Sequence, residues 1–235
     1  LPAAGFNLAY AAEFSATNAG ARLEFSLKKG ALPLGLELSK AGKITGKPTA
    51  VGKFTFTVEA TDDTKRTASL DGTIEVTRKP WLVYVGDDEV LGRFELFAVD
   101  TSKALLPKTP LSGTLPTNGD VGAEAYRFSA DGSRLAFTMD ATVDERRDLY
   151  VVDFSSGAPG TPVRVNQDGD VGDFGLTPNG KGIAYRLQNG GGAWQLYFVD
   201  LSGESPSSPA LVDTSNGNAR VIWITNTRVA YGNDQ

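Results

Sequence analysis

The sequence predicts an all-β protein in two parts, a sandwich or barrel followed by an incomplete β-propeller of about three blades. Three observations carry this. Apolar and polar residues alternate with period two through much of the 235 residues, the pattern of half-buried strands. No stretch keeps helical spacing for the roughly 10–12 residues that a helix needs. From residue 80 onward one plan of short strands recurs about every 50 residues, within the period range of propeller blades.

In the first part the alternation places Leu8, Tyr10, Ala12 and Phe14 on one face. Leu23, Phe25 and Leu27 form a second inward set, Phe54, Phe56 and Val58 a third, and Leu70, Gly72, Ile74 and Val76 a fourth. Turn signals separate the runs at Lys29-Gly30, Ala41-Gly42, Gly46-Lys47-Pro48 and Asp62-Asp63. Pro33 and Pro48 fix φ where no ladder N–H is needed. Gly42 and Gly46 bracket a short strand with tight turns. Short strands at this close spacing argue for a sandwich or barrel.

The segment from Gly30 to Asp62 resembles the putative-Ig family of cadherin-like bacterial surface domains. Leu32-Pro33, Gly35-Leu36, Gly42, Ile44, Gly46, Pro48, Gly52, Phe56, Val58, Ala60 and Asp62 fall in register on that family's pattern. Leu34 departs from it, standing where the family often carries a second Pro or a small residue. The resemblance implies an Ig/cadherin-like β-sandwich of seven-stranded type over residues 1–78. It implies a spacer or adhesive module without catalysis.

The second part, residues 79–235, repeats itself. Leu82–Val85 leads to Glu95–Asp100, Arg134–Thr138 to Asp148–Asp153, and Gly182–Arg186 to Gln195–Asp200. A fourth copy opens at Arg228–Tyr231. Val-Asp recurs at 99–100, 152–153 and 199–200, and Gly-Asp-Val at 119–121 and 169–171. Several short strands per repeat are the mark of a propeller. Ser129–Phe137 and Thr177–Tyr185 resemble the Asp-Gly-containing repeat of TolB-like (WD-type) propellers. Leu149–Asp153 and Leu196–Asp200 resemble the strand that follows it there. TolB-type periplasmic proteins, prolyl-peptidase propellers and lyase-associated or surface propellers share these motifs. Asp131-Gly132 and Asn179-Gly180 also have a mechanical reading, since they supply positive φ in the hairpin between the first two strands of a blade. Propellers close with about 4–8 blades of four strands. Two full repeats, a partial one and the opening of another cannot close a disc. The spacing therefore predicts a piece of a longer chain, or a sheet that another chain completes, with unpaired blade edges open to self-association.

The composition narrows the chemistry. The sequence has no His and no Cys. This excludes imidazole bases, His-dependent nucleophiles, thiolate zinc sites, iron–sulfur clusters and disulfides from these residues. A metal would find oxygen ligands alone, which favours calcium or magnesium. No apolar run approaches the roughly 18 residues of a membrane span. Leu1–Tyr10 lacks the basic-then-apolar order of an intact signal peptide. The formal net charge of -5 divides unevenly. Residues 1–79 hold 11 basic and 8 acidic side chains, while residues 80–235 hold 12 and 20. An acidic second part argues against nucleic acid as a partner.

Candidate sites follow the carboxylates. Asp168, Asp170 and Asp173 stand among glycines in the loop Gln167–Asp173, as in many oxygen cages for calcium. The EF-hand spacing is not matched, and a solvated turn explains the same residues. Gly86–Glu89 and Asp62-Asp63 are weaker candidates of the same kind. Asp140, Asp144 and Glu145 are candidates for a paired acid and base, but neighbouring Arg146 and Arg147 favour the ionised form and oppose a general acid. Asn189–Gly192 lacks the Lys-Ser/Thr and the helix of a phosphate loop, and reads as a hairpin. Trp194 and Trp223 stand in or beside strands and read as core, and Trp81 reads as packed on the link between the parts. A sugar-stacking platform is the alternative for the three rings.

These residues and resemblances lead to the expectation of a non-catalytic, extracytoplasmic protein of the bacterial cell envelope, in the periplasm or at the cell surface. It would bind or scaffold through protein or glycan contact, with no catalytic residue and no cofactor beyond calcium at Asp168, Asp170 and Asp173. The alternative expectation is the accessory propeller of a larger, prolyl-peptidase-like hydrolase. The Gly-x-Ser-x-Gly elbow and later His of such an enzyme do not occur in these residues.

Overall fold

The computed structural model describes residues 1–17, 22–113, 115–116, 119–140, 146–190, 192–213, 218–225 and 229–234; at 123–125, 218–224 and 229–234 it describes the backbone alone. The chain divides into two compact units, Leu1–Lys79 and Pro80–Gln235. All regular structure among the described residues is β-strand.

The first unit contains β1 (Ala4–Gly5), β2 (Tyr10–Glu13), β3 (Leu23–Gly30), β4 (Leu36–Leu38), β5 (Lys43–Gly46), β6 (Gly52–Asp62) and β7 (Thr67–Thr77). They form two sheets, ordered β1-β7-β6-β3 and β2-β5-β4. The first sheet contributes Phe25, Phe56, Val58, Ile74 and Val76 to the core, and the second contributes Tyr10, Leu36 and Ile44. Period-two alternation aims each set inward.

Three expected inward residues do not arrive. Leu8 is exposed because β2 begins only at Tyr10; Leu8 N–H instead closes a turn onto Gly5 O at 3.1 Å. Leu27, Val58 and Leu70 form one cross-strand row. Val58 on the central strand is buried, while its two flanking partners stay exposed. The second sheet has strands of only three or four residues and faces a first sheet whose long strands run to eleven.

The spaced glycines of the Gly30–Asp62 motif have a steric cause. Gly46 pairs with Leu36 and has φ +135°. A Cβ there would run into the Gly35 carbonyl oxygen. Lys47 N–H donates to that same oxygen at 3.1 Å. Backbone approach this close leaves room for hydrogen alone.

The second unit contains β8 (Trp81–Gly86), β9 (Glu95–Asp100), β10 (Lys108–Pro110), β11 (Val121–Phe128), β12 (Arg134–Met139), β13 (Asp148–Asp153), β14 (Val163–Arg164), β15 (Asp170–Leu176), β16 (Gly182–Gln188), β17 (Gln195–Asp200), β18 (Ala210–Asp213), β19 (Asn218–Ile224) and β20 (Val229–Asp234). They make four sheets, ordered β10-β9-β8, β11-β12-β13-β14, β15-β16-β17-β18 and β19-β20. The two middle sheets are four-stranded antiparallel meanders, the unit of a propeller blade. The first sheet matches the second to fourth strands of such a blade, and the last sheet matches the first two.

Core residues lie between successive sheets. On β12, Leu135 and Phe137 join Leu96 and Ala98 of the preceding sheet. Ala136, from the other face of β12, joins Ile183 and Tyr185 of the following sheet. A strand covered on both faces reads as a continuous apolar run. This explains why Leu-Ala-Phe and Ile-Ala-Tyr lack polar interruptions.

Candidate functional site

Successive sheets of the second unit are tied at both ends. At one end Val121 N–H donates to Phe94 O and Val171 N–H donates to Arg147 O, each at 2.9 Å. The Val of each Gly-Asp-Val motif is therefore the donor that links a blade to the one before it. At the other end Asp131 N–H donates to Pro178 O at 2.9 Å.

The first of these ends gathers the charged side chains. Asp148 opens β13 and is fully buried. Its Oδ1 lies 2.8 Å from the Arg164 guanidinium and accepts from Asn166 Nδ2 at 3.0 Å. Its Oδ2 lies 3.5 Å from the Arg146 guanidinium. Asn166 Oδ1 in turn accepts from Leu149 N–H at 2.7 Å. Two guanidiniums and an amide thus compensate a carboxylate that would be costly to bury alone.

Of the three aspartates proposed from sequence as a calcium cage, Asp168 shares arginines with this centre, and the three do not converge. Asp168 is 84% exposed and pairs with Arg164 at 3.0 Å and Arg146 at 3.7 Å. Asp170 receives a two-pronged contact from Arg147, with NH2 on Oδ2 at 3.0 Å and Nε on Oδ1 at 3.3 Å, and also accepts Arg147 N–H. Asp173 pairs with Arg186. Three carboxylates therefore meet guanidiniums instead of one another. Among the described residues no group of three acidic side chains is arranged to hold a metal ion. Sequence reading singled out the acids and underweighted the arginines. The available signal was the spacing of Arg93-Phe94-Glu95 and Arg146-Arg147-Asp148, an arginine two positions before the acid that opens the third strand.

Comparing repeats shows what varies. Glu95 stands where Asp148 does, is buried, and pairs with Arg93 at 3.0 Å. Ser112 stands where Asn166 does, its Oγ accepting Leu96 N–H at 3.2 Å. The third repeat has the neutral Gln195, whose Oε1 accepts from the Tyr197 hydroxyl at 3.0 Å. Ahead of it, Trp194 is half-buried, with the Arg186 guanidinium 4.6 Å from its ring centroid. It belongs to a cation–π stack above β15 and not to the core clusters. Trp81 meets Phe154 edge-on at 5.8 Å and packs on the core of the second unit. Trp223 lies in β19, outside the described side chains. Tyr185 is fully buried against Tyr197, and burial pushes its hydroxyl far above the usual phenol range.

The opposite end is built for regularity. Ser129 Oγ donates to Asp131 Oδ1 at 2.8 Å and accepts Arg134 N–H at 3.0 Å. Thr177 repeats this with Asn179 at 2.9 Å and Gly182 N–H at 2.9 Å. Gly132 and Gly180 turn both hairpins with φ +66° and +67°. The recurrent Asp of Val-Asp closes the turn after each third strand. Asp100, Asp153 and Asp200 accept the N–H of Ser102, Ser155 and Ser202 at 3.1, 2.6 and 2.8 Å.

The weaker candidates also find structural partners. Asp62 accepts Thr64 N–H at 2.9 Å and Arg66 Nε at 2.8 Å, tying the β6–β7 hairpin. Asp88 accepts the Tyr84 hydroxyl at 2.6 Å, and Lys108 lies 3.2 Å from Glu89. The Tyr84 hydrogen bond holds the Asp88 carboxyl below the usual carboxylate range. Asp140 accepts Asp120 N–H. Asp144 and Glu145 lie outside the described residues. No described helix is long and apolar enough to cross a membrane.

Comparison with known proteins adds the following. The family described as Putative Ig domain matches residues 3–77. No curated protein matches the chain. Among solved structures, TolB from Acinetobacter baumannii is similar at 13% identity and TM-score 0.35, covering 84% of this chain and 54% of its own. A putative TolB from Agrobacterium tumefaciens is similar at 12% identity and TM-score 0.35, covering 79% of each chain. A puromycin-hydrolyzing peptidase from Mycobacterium tuberculosis is similar at 11% identity and TM-score 0.38, covering 84% of this chain and 34% of its own. The chain thus spans about half the length of the A. baumannii protein. The family match and the blade-by-blade sheets make this chain an Ig-like domain followed by β-propeller repeats.

Proposed function

We propose that the chain is a non-catalytic binding or scaffold module of the bacterial cell envelope, acting outside the cytoplasm through contact with protein. One observation carries this reading. Where the blade connections converge, Asp148, Asp168, Asp170 and Asp173 are each engaged by arginine. An arginine stays charged at any physiological pH, so each of these carboxylates is committed to a structural ion pair. The Ig-like domain supports the extracytoplasmic placement, because the family that residues 30–62 resemble is one of bacterial surface domains.

The test has two arms. The purified chain is titrated against an immobilised bacterial envelope-protein fraction, and it is incubated for hours with fluorogenic peptides that include Xaa-Pro bonds. Saturable binding that unlabelled chain competes away, with the peptides recovered intact, is the expected result. Peptide cleavage that scales with chain concentration would overturn the non-catalytic reading.

A further inference from the structure

The loop between β8 and β9 presents an apolar tip that packing does not explain. Val90 and Phe94 are 46% and 45% exposed, and Leu91 is 93% exposed. The tip is nevertheless held in shape. Arg93 N–H donates to Val90 O at 3.0 Å, closing a turn with Gly92 at φ +80°. Asp87 Oδ2 accepts Gly92 N–H at 3.1 Å. Leu91 thus sits at the apex of a fixed turn, so little ordering cost remains for a partner that covers it.

The surroundings decide the chemistry of that partner. Asp87, Asp88 and Glu89 immediately precede the tip. The tip lies at the end where Phe94 and Arg147 accept the linking hydrogen bonds. Among the described residues, the connections and strands there carry eleven carboxylates against five arginines and Lys108, whose ammonium reaches Asp88 at 3.4 Å and Glu89 at 3.2 Å. Each of those arginines is already paired, Arg93 to Glu95, Arg146 and Arg164 to Asp148, Arg147 to Asp170 and Arg186 to Asp173. The end of the second unit that carries the exposed apolar turn is therefore acidic on balance. A second copy docking through this face would bring like charges together, which is unfavourable.

We infer that the Val90–Phe94 turn is a docking point for a protein segment that carries lysine or arginine beside apolar side chains. Leu91 and Phe94 supply the buried contact, and the surrounding carboxylates supply attraction and selectivity. This rests on the reading of the chain as a binding module and names the chemistry of its partner.

The experiment uses the whole chain and two labelled synthetic peptides, one alternating lysine with leucine and one alternating glutamate with leucine, read by fluorescence anisotropy. The lysine peptide should bind and the glutamate peptide should not. Raising salt from roughly 50 mM to roughly 500 mM should weaken binding. Leu91→Ser with Phe94→Ser should weaken it about tenfold or more. Leu105, 94% exposed in the β9–β10 connection at the opposite end, provides the control, and Leu105→Ser should leave binding unchanged. Equal binding of both peptides, no effect of the paired substitution, or an equal effect of Leu105→Ser would overturn the inference. A change of oligomeric state with Leu91→Ser would overturn it in favour of self-association. Mass spectrometry of the recovered peptide keeps the two readings apart, because cleavage would sink the non-catalytic reading while intact, unbound peptide would sink the docking point alone.

Discussion

Gly180 sets how one blade hairpin nests on the one before it. Its φ of +67° places it in the left-handed region, where an L-residue costs about 1–2 kcal/mol. Part of that is offset because alanine restricts the unfolded chain, by about 0.4–1 kcal/mol. The backbone cost of Gly180→Ala alone is therefore about 1 kcal/mol. The second cost comes from the neighbouring blade. A Cβ at 180 would overlap Ser133 Oγ and lie 2.8 Å from Arg134 Cγ. Relieving such an overlap in a packed site costs about 1–3 kcal/mol. Gly190 provides the matched control, with φ +58° and nothing within 4 Å of an added Cβ. The expected losses are about 1 kcal/mol for Gly190→Ala and about 2–4 kcal/mol for Gly180→Ala. All three tryptophans, Trp81, Trp194 and Trp223, fall in the second unit, so urea unfolding followed by tryptophan fluorescence reports on that unit alone. Ser133→Ala removes one overlapping atom, and the double substitution should show a favourable coupling of at least about 0.5 kcal/mol. Equal losses at 180 and 190, or strict additivity with Ser133→Ala, would refute the nesting argument.

Four further outcomes can be checked. Asp148→Ala should cost about 1–3 kcal/mol in the same assay, because it removes the buried acceptor of Asn166 and a shared partner of two partly exposed guanidiniums, whereas Asp168→Ala should cost less than about 1 kcal/mol. With Asp168, Asp170 and Asp173 on four different arginines, the melting temperature should be the same in millimolar calcium and in chelator; a rise with calcium would contradict the pairing. The carboxyls of Glu59, Asp88 and Asp200 are held below their ordinary values by hydrogen bonds from Lys28, Tyr84 and Ser202; their stabilisation is present above the unfolded value of about 4 and is lost as pH falls through the folded values, which a melting-temperature series in acid measures. Burial raises Tyr185, so the unfolded chain releases that proton first above about pH 10 and stability should fall as pH rises there; Tyr185→Phe should flatten the alkaline limb.

The parts of this fold that were legible in the sequence are those where one residue type has one local use. Asp-Gly and Asn-Gly in the blade hairpins were readable because positive φ at Gly132 and Gly180 leaves few alternatives. The Gly30–Asp62 motif was readable because its glycines mark close backbone approaches. Burial at sheet margins was not readable. Leu27 and Leu70 keep perfect alternation, yet whether an inward residue is covered depends on the length of the opposing sheet, which no local pattern encodes. Trp194 departs from its core reading for a related reason. Trp194 stands beside a strand, as a core residue would, but Arg186 from the neighbouring strand caps its ring, and that partner is set by register.

The partners of the carboxylates are hidden from a linear reading, because sequence shows which residues are acidic and not what faces them. Asp168, Asp170 and Asp173 lie within six positions of one another, yet their arginines come from 146, 147, 164 and 186, on different connections and strands. The repeats show that this network drifts while the blade is maintained. At the opening of the third strand the residue is Glu95, then Asp148, then Gln195, and its helper is Ser112 or Asn166. The turn-closing Asp and the nested hairpin at the other end change far less, with Asp100, Asp153 and Asp200 making the same contact each time. An end that repeats its contacts is constrained by the stacking of blades. An end that changes its charges from blade to blade while the scaffold beneath stays fixed is where surface chemistry is free to differ. The proposed docking turn at Leu91 lies at that variable end.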